Sequence, residues 1–174
     1  DWSSDVCSSD LLRHGCAWFP VTGCAVVRVD GPDAVPFVDA FTTAHVAGLA
    51  PSAACEGMLL DARGHVLALV HLLRDASGVW IVAFAGGRTD IASHLERYHI
   101  RERLVIEDLS VQCVVVGIAG PAAEAAVAGH LANGMKTIAA GGAWPGGLLV
   151  VGSGETAGAV EGRLAAAGIP RASA

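Results

Sequence analysis

CAVVRVDGPDAVPFV, residues 24–38, and CVVVGIAGPAAEAAV, residues 113–127, carry the same pattern of a strand, a Gly-Pro-x-Ala turn and a helix. The β-branched runs that open both stretches are typical of strands. Proline suits the first turn of a helix, where its missing N–H costs least. A pattern that returns only after a domain-sized interval predicts two copies of one folding unit rather than a solenoid.

The chain between the two copies predicts a meander of three antiparallel strands. These strands are expected over residues 55–60, 65–73 and 79–85. The first connecting turn contains Gly64, which is free to adopt a positive φ. A helix with Thr89 as its N-cap and a strand over 104–109 complete the order β-α-β-β-β-α-β. This order predicts an α+β fold with mostly antiparallel sheets.

We therefore expect two related, ferredoxin-like α+β subdomains. The first covers residues 12–110, and the start of the second covers 111–174, so that the second copy is truncated. Residues 1–11, DWSSDVCSSDL, resemble a translated sequencing adapter and are left out of the fold reasoning. The alternative for this segment is a disordered leader rich in serine and aspartate.

The composition argues against several functional classes. A net charge of -6 without a basic patch argues against nucleic-acid binding. The longest charge-free stretch, between Lys136 and Glu155, contains a proline and several glycines, which is not typical of a membrane-spanning helix. Without a recognisable signal peptide, the expected location is the cytoplasm, with the five cysteines reduced.

Two further patterns invite a ligand hypothesis and are weak. His94 and His99 stand five residues apart rather than the four that would place both on one helix face, so no metal ligands are predicted. Residues 152–157, GSGETA, fit the dinucleotide-binding fingerprint G-x-G-x-x-A. Because no β-α-β pattern surrounds it, we interpret this stretch as a helix-entry turn and keep dinucleotide binding as the lesser alternative.

Four runs together resemble the folate-binding domain of the GcvT/YgfZ family. They are VVRVDGPDAVPFVDAFTTAHV (26–46), CEGMLLDARGHVLALVHLLRD (55–75), HLERYHIRERLVIEDLS (94–110) and GIAGPAA (117–123). The resemblance covers nearly all of residues 14–170. It implies tetrahydrofolate as the cofactor, held between two related subdomains and a later β-barrel. It also implies one of two roles, either one-carbon transfer from a lipoylated carrier or maintenance of iron–sulfur proteins.

The sequence departs from the family at the positions that matter for chemistry. In the aminomethyltransferase the hairpin carries an acidic pair, and Ala68 and Leu69 occupy those positions here. An alkyl side chain cannot exchange a proton with a folate nitrogen. The family connector is also changed, to Thr43-Ala44-His45-Val46. We therefore predict no catalytic residue. The K-G-C-x-x-G-Q motif of the YgfZ branch would lie beyond residue 174.

The resemblance places five residues at the edge of the folate cavity, and these are the predicted ligand contacts. They are Thr43, Asp61, Arg63, Gly64 and His65. An arginine suits the carboxylates of a folate glutamate tail. The alternative is that Asp61 to His65 form an ordinary solvated turn. Arg97, with its charged neighbours, is interpreted as part of a mixed-charge surface.

Three functions remain open at this point. The leading hypothesis is a folate-binding accessory protein of the YgfZ type that lacks the transferase acid. The second is an active aminomethyltransferase that obtains an acid from elsewhere. The third is a structural or interaction domain that kept the fold and lost the pocket.

Overall fold

The structure, a computed structural model, describes residues 15–84, 90–128, 135–140, 147–154 and 156–172. The segment interpreted as an adapter lies outside these residues. The chain divides into two compact units. The contiguous unit is Thr22–Val111, and the split unit combines the described residues of 1–21 and 112–174.

The strands and helices of the described residues follow one another along the chain in a regular alternation. They are β1 (Ala17–Pro20), β2 (Ala25–Asp30), α1 (Ala34–Phe41), a 3-10 helix (Val46–Gly48), β3 (Ala54–Leu60), β4 (Val66–Arg74), β5 (Gly78–Ala83), α2 (Ile91–Glu96), β6 (Val105–Asp108), β7 (Cys113–Ala119), α3 (Ala123–Val127), β8 (Met135–Ala139), β9 (Leu148–Ser153) and α4 (Ala157–Ala166). In this part of the chain no helix has the length and apolar character needed to cross a membrane.

The contiguous unit is built on an antiparallel sheet of five strands in the order β3-β4-β5-β2-β6. The expected meander is present as β3, β4 and β5. Alternate residues of each strand point to the same side of a sheet. One such side, with α1 and α2 packed against it, forms a core that includes Val27, Val29, Phe37, Val38, Leu59, Val70, Leu72, Ile81, Ile91 and Leu95. Full burial of each aliphatic side chain contributes about 1.5–3 kcal/mol.

The split unit has a four-stranded antiparallel sheet in the order β1-β7-β9-β8. Its core joins residues from both ends of the chain, with Trp18 packed among Ile118, Val150 and Leu164. The backbone of Trp18 also donates a hydrogen bond to the carbonyl oxygen of Pro170 at 2.9 Å. Strand β1 therefore belongs to a sheet whose other strands begin almost one hundred residues later.

The repeat seen in the sequence is also a repeat of structure. In the contiguous unit β2 lies between β5 and β6, and in the split unit β7 lies between β9 and β1. Gly31 and Gly120 follow the two central strands with φ of 129° and 123°. Each glycine touches the backbone that leads into the neighbouring edge strand, Arg103 before β6 and Gly15 before β1. Strand β1 thus takes in the split unit the place that β6 takes in the contiguous unit.

The glycine-rich stretch after β9 lies outside any β-α-β unit. Strand β9 is antiparallel to both of its neighbours. The Thr156 hydroxyl caps α4 by accepting the N–H of Ala159 at 3.3 Å. This geometry agrees with a helix-entry turn and lacks the parallel strands that a dinucleotide site requires.

Candidate functional site

The turn between β3 and β4 is organised by the carboxylate of Asp61. One oxygen accepts the backbone N–H groups of Arg63 at 2.8 Å and His65 at 2.9 Å. The other lies 2.9 Å from Nδ1 of the His65 ring. Gly64 has a φ of 82°, so the expected left-handed glycine is confirmed. These bonds close the turn and hold its exposed side chains in a fixed arrangement.

The same hydrogen bonds stabilise the charged form of Asp61. The backbone N–H of His65, followed by its ring, lowers the pKa of Asp61 to about 2. The carboxylate therefore stays ionised throughout the physiological range.

Helix α2 packs beside this turn and is capped by Asp90. The carboxylate of Asp90 accepts the N–H of Ser93 at 3.0 Å and its hydroxyl at 2.5 Å. The expectation that Thr89 is the N-cap is therefore wrong, because Asp90 already satisfies the free N–H in the first turn. The hydroxyl of Ser93 is the main cause that lowers the pKa of Asp90.

A buried histidine ties α2 to the end of β3. His94 is 7% exposed, and its Nε2 lies 3.2 Å from the carbonyl oxygen of Leu60. A carbonyl oxygen can only accept, so Nε2 carries the proton. The ring packs edge-on against Tyr98, with centroids 5.2 Å apart, and against Phe41 at 6.3 Å. Because Leu60 directly precedes Asp61, this bond fixes the helix relative to the turn.

The turn and the helix enclose a cleft of about 480 Å³. This volume lies within the range of small-molecule pockets. The residues that line the cleft are Asp61, Ala62, Arg63, Leu67, Asp90, Ser93, His94, Arg97 and Tyr98. The cleft thus combines two guanidinium groups, two carboxylates and an aromatic wall.

The structure brings together some of the predicted contacts and not others. Asp61 and Arg63 line the cleft, and Gly64 and His65 complete the turn beside it. Thr43 does not line the cleft, because its hydroxyl accepts the N–H of Met58 at 2.9 Å along the edge of β3. A role in ligand binding stays a prediction for all five residues.

The helix supplies residues that the sequence analysis did not assign to the site. Arg97 was interpreted as part of a mixed-charge surface, and His94 was considered only as a metal ligand. Asp90, His94 and Arg97 recur at intervals of four and three residues, which places them on one side of the helix. That spacing was the available signal, but it does not tell which turn the helix faces.

Ala68 and Leu69 lie in the middle of β4, at the positions where the resemblance places an acidic pair. Ala68 pairs with Leu59 and packs against the core, whereas Leu69 pairs with Met58. Across the described residues, no group of three or more histidine, cysteine, aspartate or glutamate side chains is arranged to hold a metal ion.

Comparison with known protein families identifies the fold. The model of the GCVT N-terminal domain family matches residues 8–138, which is most of the chain. The chain belongs to the GCVT N-terminal domain family. A comparison with curated proteins found no match. The GCVT assignment agrees with the resemblance inferred from the Gly-Pro-x-Ala repeat and the hairpin.

Solved structures show the same GCVT fold. The glycine cleavage system aminomethyltransferase T from Bartonella henselae matches with a TM-score of 0.71 and 19% identity, over 90% of this chain and 47% of that chain. A heterotetrameric sarcosine oxidase from Corynebacterium sp. U-96, in complex with pyrrole 2-carboxylate, matches with a TM-score of 0.54 and 14% identity, over 91% of this chain and 87% of that one. The expected α+β fold with mostly antiparallel sheets is confirmed. The chain spans about half the length of the Bartonella protein.

The Asp61 turn leads to a prediction about acid stability. The pKa of Asp61 in the folded protein is about 2, below its ordinary value of about 3.9 in an unfolded chain. The ionised carboxylate therefore stabilises the fold above pH 4, and this contribution is lost as the pH falls from about 4 towards 2. We expect NMR titration of the Asp61 carboxyl carbon to give a midpoint near 2. A midpoint near 4 would show that the turn does not form as described. Asp61→Asn is expected to flatten the acid dependence of unfolding between these pH values.

Proposed function

We propose that this chain is a folate-binding module of the GCVT family that lacks the acid of the aminomethyltransferase and acts as an accessory protein. The observation that supports this most directly is the pair Ala68 and Leu69 in β4. Neither side chain can take up or release a proton, and Ala68 packs against the core rather than towards a polar group. The fold alone does not decide the activity.

The cleft beside the Asp61 turn is the proposed folate site. Tyr98 and Leu67 offer aromatic and apolar surface to a flat ring system, and Arg63 and Arg97 offer donors to carboxylates. The ligand of this proposal is tetrahydrofolate or a related folate, which would supply the one-carbon chemistry when bound. The residues of the chain would bind and orient it. Thr43, which lies along the edge of β3, stays in the proposal as a sequence-based contact.

The partners and location of the proposal follow the two branches of the family. In an accessory role the partners are iron–sulfur proteins, and in a transferase role the partner is a lipoylated carrier. Both belong to the cytoplasm. The absence of an acid in β4 favours the first.

Two measurements on the same preparation test the proposal. Isothermal titration with 5-formyltetrahydrofolate is expected to give saturable binding with a Kd of about 0.1 mM or lower. A glycine-cleavage assay with lipoylated carrier protein is expected to give no one-carbon transfer above background. Absence of binding at millimolar folate would refute the folate module and favour a structural domain. Transfer at an enzymatic rate would refute the accessory role and favour the aminomethyltransferase.

A further inference from the structure

Two arginines face the cleft without an acidic partner. Other arginines of the contiguous unit are paired, since Arg28 lies 3.1 Å from Asp30 and Arg103 lies 3.5 Å from Asp33. For Arg63 and Arg97, no ion pair and no side-chain hydrogen bond is present within the described ranges. Two guanidinium groups that line one cleft in this state have their N–H donors available to a ligand.

The carboxylates in the cleft are engaged by their own segments. Asp61 accepts two N–H groups of its turn and contacts the His65 ring, and Asp90 accepts both the N–H and the hydroxyl of Ser93. Their charges nevertheless balance those of the two arginines. A balanced cleft does not attract anions over long distances, so its selectivity depends on short contacts. The planar guanidinium fork provides such contacts to a carboxylate through two parallel hydrogen bonds.

The position of the two arginines indicates more than one carboxylate in the ligand. Arg63 comes from the β3–β4 turn and Arg97 from the far end of α2, so they approach the cleft from different elements. The His94 contact with Leu60 holds these elements in place. The surface that Leu67 and Tyr98 contribute is apolar and suits methylene groups between two charged ends.

We propose that this cleft binds a γ-glutamyl chain, with one carboxylate on Arg63 and a second on Arg97. This deepens the proposed function, on which it rests where the chain is the tail of a folate. The same chemistry is present in a free γ-glutamyl peptide, which contains no pterin. The cleft thereby selects folates with extended glutamate tails over those with one glutamate.

Four probes separate the two sources of this chemistry. They are 5-formyltetrahydrofolate with one glutamate, the same compound with three glutamates, γ-glutamylglutamate, and pteroic acid, which has no glutamate. Arg63→Gln and Arg97→Gln each remove one cleft charge. Arg101→Gln removes the same charge from an exposed position that does not line the cleft, and so serves as the matched control.

The triglutamate is expected to bind at least about tenfold more tightly than the monoglutamate, as charge-assisted hydrogen bonds would produce. Arg63→Gln and Arg97→Gln should each abolish most of that difference and leave pteroic acid binding unchanged, whereas Arg101→Gln should change neither. Circular dichroism establishes that each variant is folded.

Failure of this inference differs from failure of the proposed function. Folates that bind the two cleft variants and the native chain equally would overturn the cleft and leave the folate module in place. Binding of γ-glutamylglutamate that depends on both arginines, without any binding of folate or pteroic acid, would support the cleft and overturn the folate module. If no probe binds, both are overturned.

Discussion

A variant that begins at Thr22, and so lacks β1, is expected to lose the fold of the split unit. Four residue pairs of the β1–β7 ladder disappear, and β7 becomes an edge strand. Trp18, which is 4% exposed, leaves the core that it shares with Ile118 and Leu164. Truncation of a buried tryptophan alone costs about 3–5 kcal/mol. Together with the lost ladder, this approaches the whole stability of a small domain, about 5–15 kcal/mol.

Hydrogen exchange followed by mass spectrometry can localise this effect. Peptides from β7 and β9 should exchange rapidly in the variant, whereas peptides from β4 and β5 should stay protected, since the contiguous unit keeps its own sheet and core. Trp18→Ala should give the same pattern in a milder form. Val111→Ala changes a side chain that is 95% exposed and should have no effect. Unchanged protection of β7 after removal of β1 would contradict the pairing described above.

Gly120→Ala is expected to destabilise the split unit by about 2–6 kcal/mol. A methyl group at this position would lie 2.3 Å from the carbonyl oxygen of Gly15, which is backbone and cannot rotate away. The φ of 123° adds a strain of about 1–3 kcal/mol for any other residue. The steric overlap adds a further cost of about 1–3 kcal/mol. Gly31→Ala should have a similar effect on the contiguous unit, because its methyl group would lie 2.4 Å from the carbonyl oxygen of Arg103.

Two other glycines provide matched controls, one in each unit. Gly168 and Gly64 have φ values of 72° and 82°, and a methyl group at either would meet nothing within 4 Å. Their replacement by alanine should cost only the backbone strain, about 1–2 kcal/mol. Urea denaturation monitored by hydrogen exchange in each unit measures all four variants. Equal costs for Gly120→Ala and Gly168→Ala would show that the close contact with Gly15 is not formed.

Local patterns predicted the repeated part of the fold. The valine-rich runs ahead of Gly31 and Gly120 form β2 and β7, and the helices α1 and α3 follow where the proline rule expects them. The three strands of the meander were predicted because each is bounded by a turn of Asp, Ser and Gly residues. These signals are confined to short stretches and do not depend on the rest of the chain.

Strands β1 and β8 were not predicted, for different physical reasons. Ala17–Pro20 is short and ends in proline, and it becomes a strand through its pairing with β7 far along the sequence. Met135–Ala139 contains Lys136 and Thr137 and lacks a regular alternation, and it forms a strand because β9 offers a partner edge. Tertiary pairing overrides weak local preference in both cases.

The candidate site was half predicted. The Asp61 turn follows from residue types, since aspartate, glycine and their spacing specify a tight turn. The other half of the cleft comes from α2, and it depends on the hydrogen bond between His94 and the carbonyl oxygen of Leu60. A single sequence does not contain that contact. Arg97 therefore looked like one more surface charge until the helix was placed beside the turn.

The position of β1 has a consequence for how the protein is made. A ribosome completes this strand first and its partner β7 about a hundred residues later, so β1 stays unpaired while the whole contiguous unit emerges and folds. Closing a chain loop of that length carries an entropic cost and slows the assembly of the split unit. A circular permutant that starts at Thr22 and joins residue 172 to residue 15 would make every strand of the split unit nearly consecutive. In that order of synthesis each unit could fold as it leaves the ribosome.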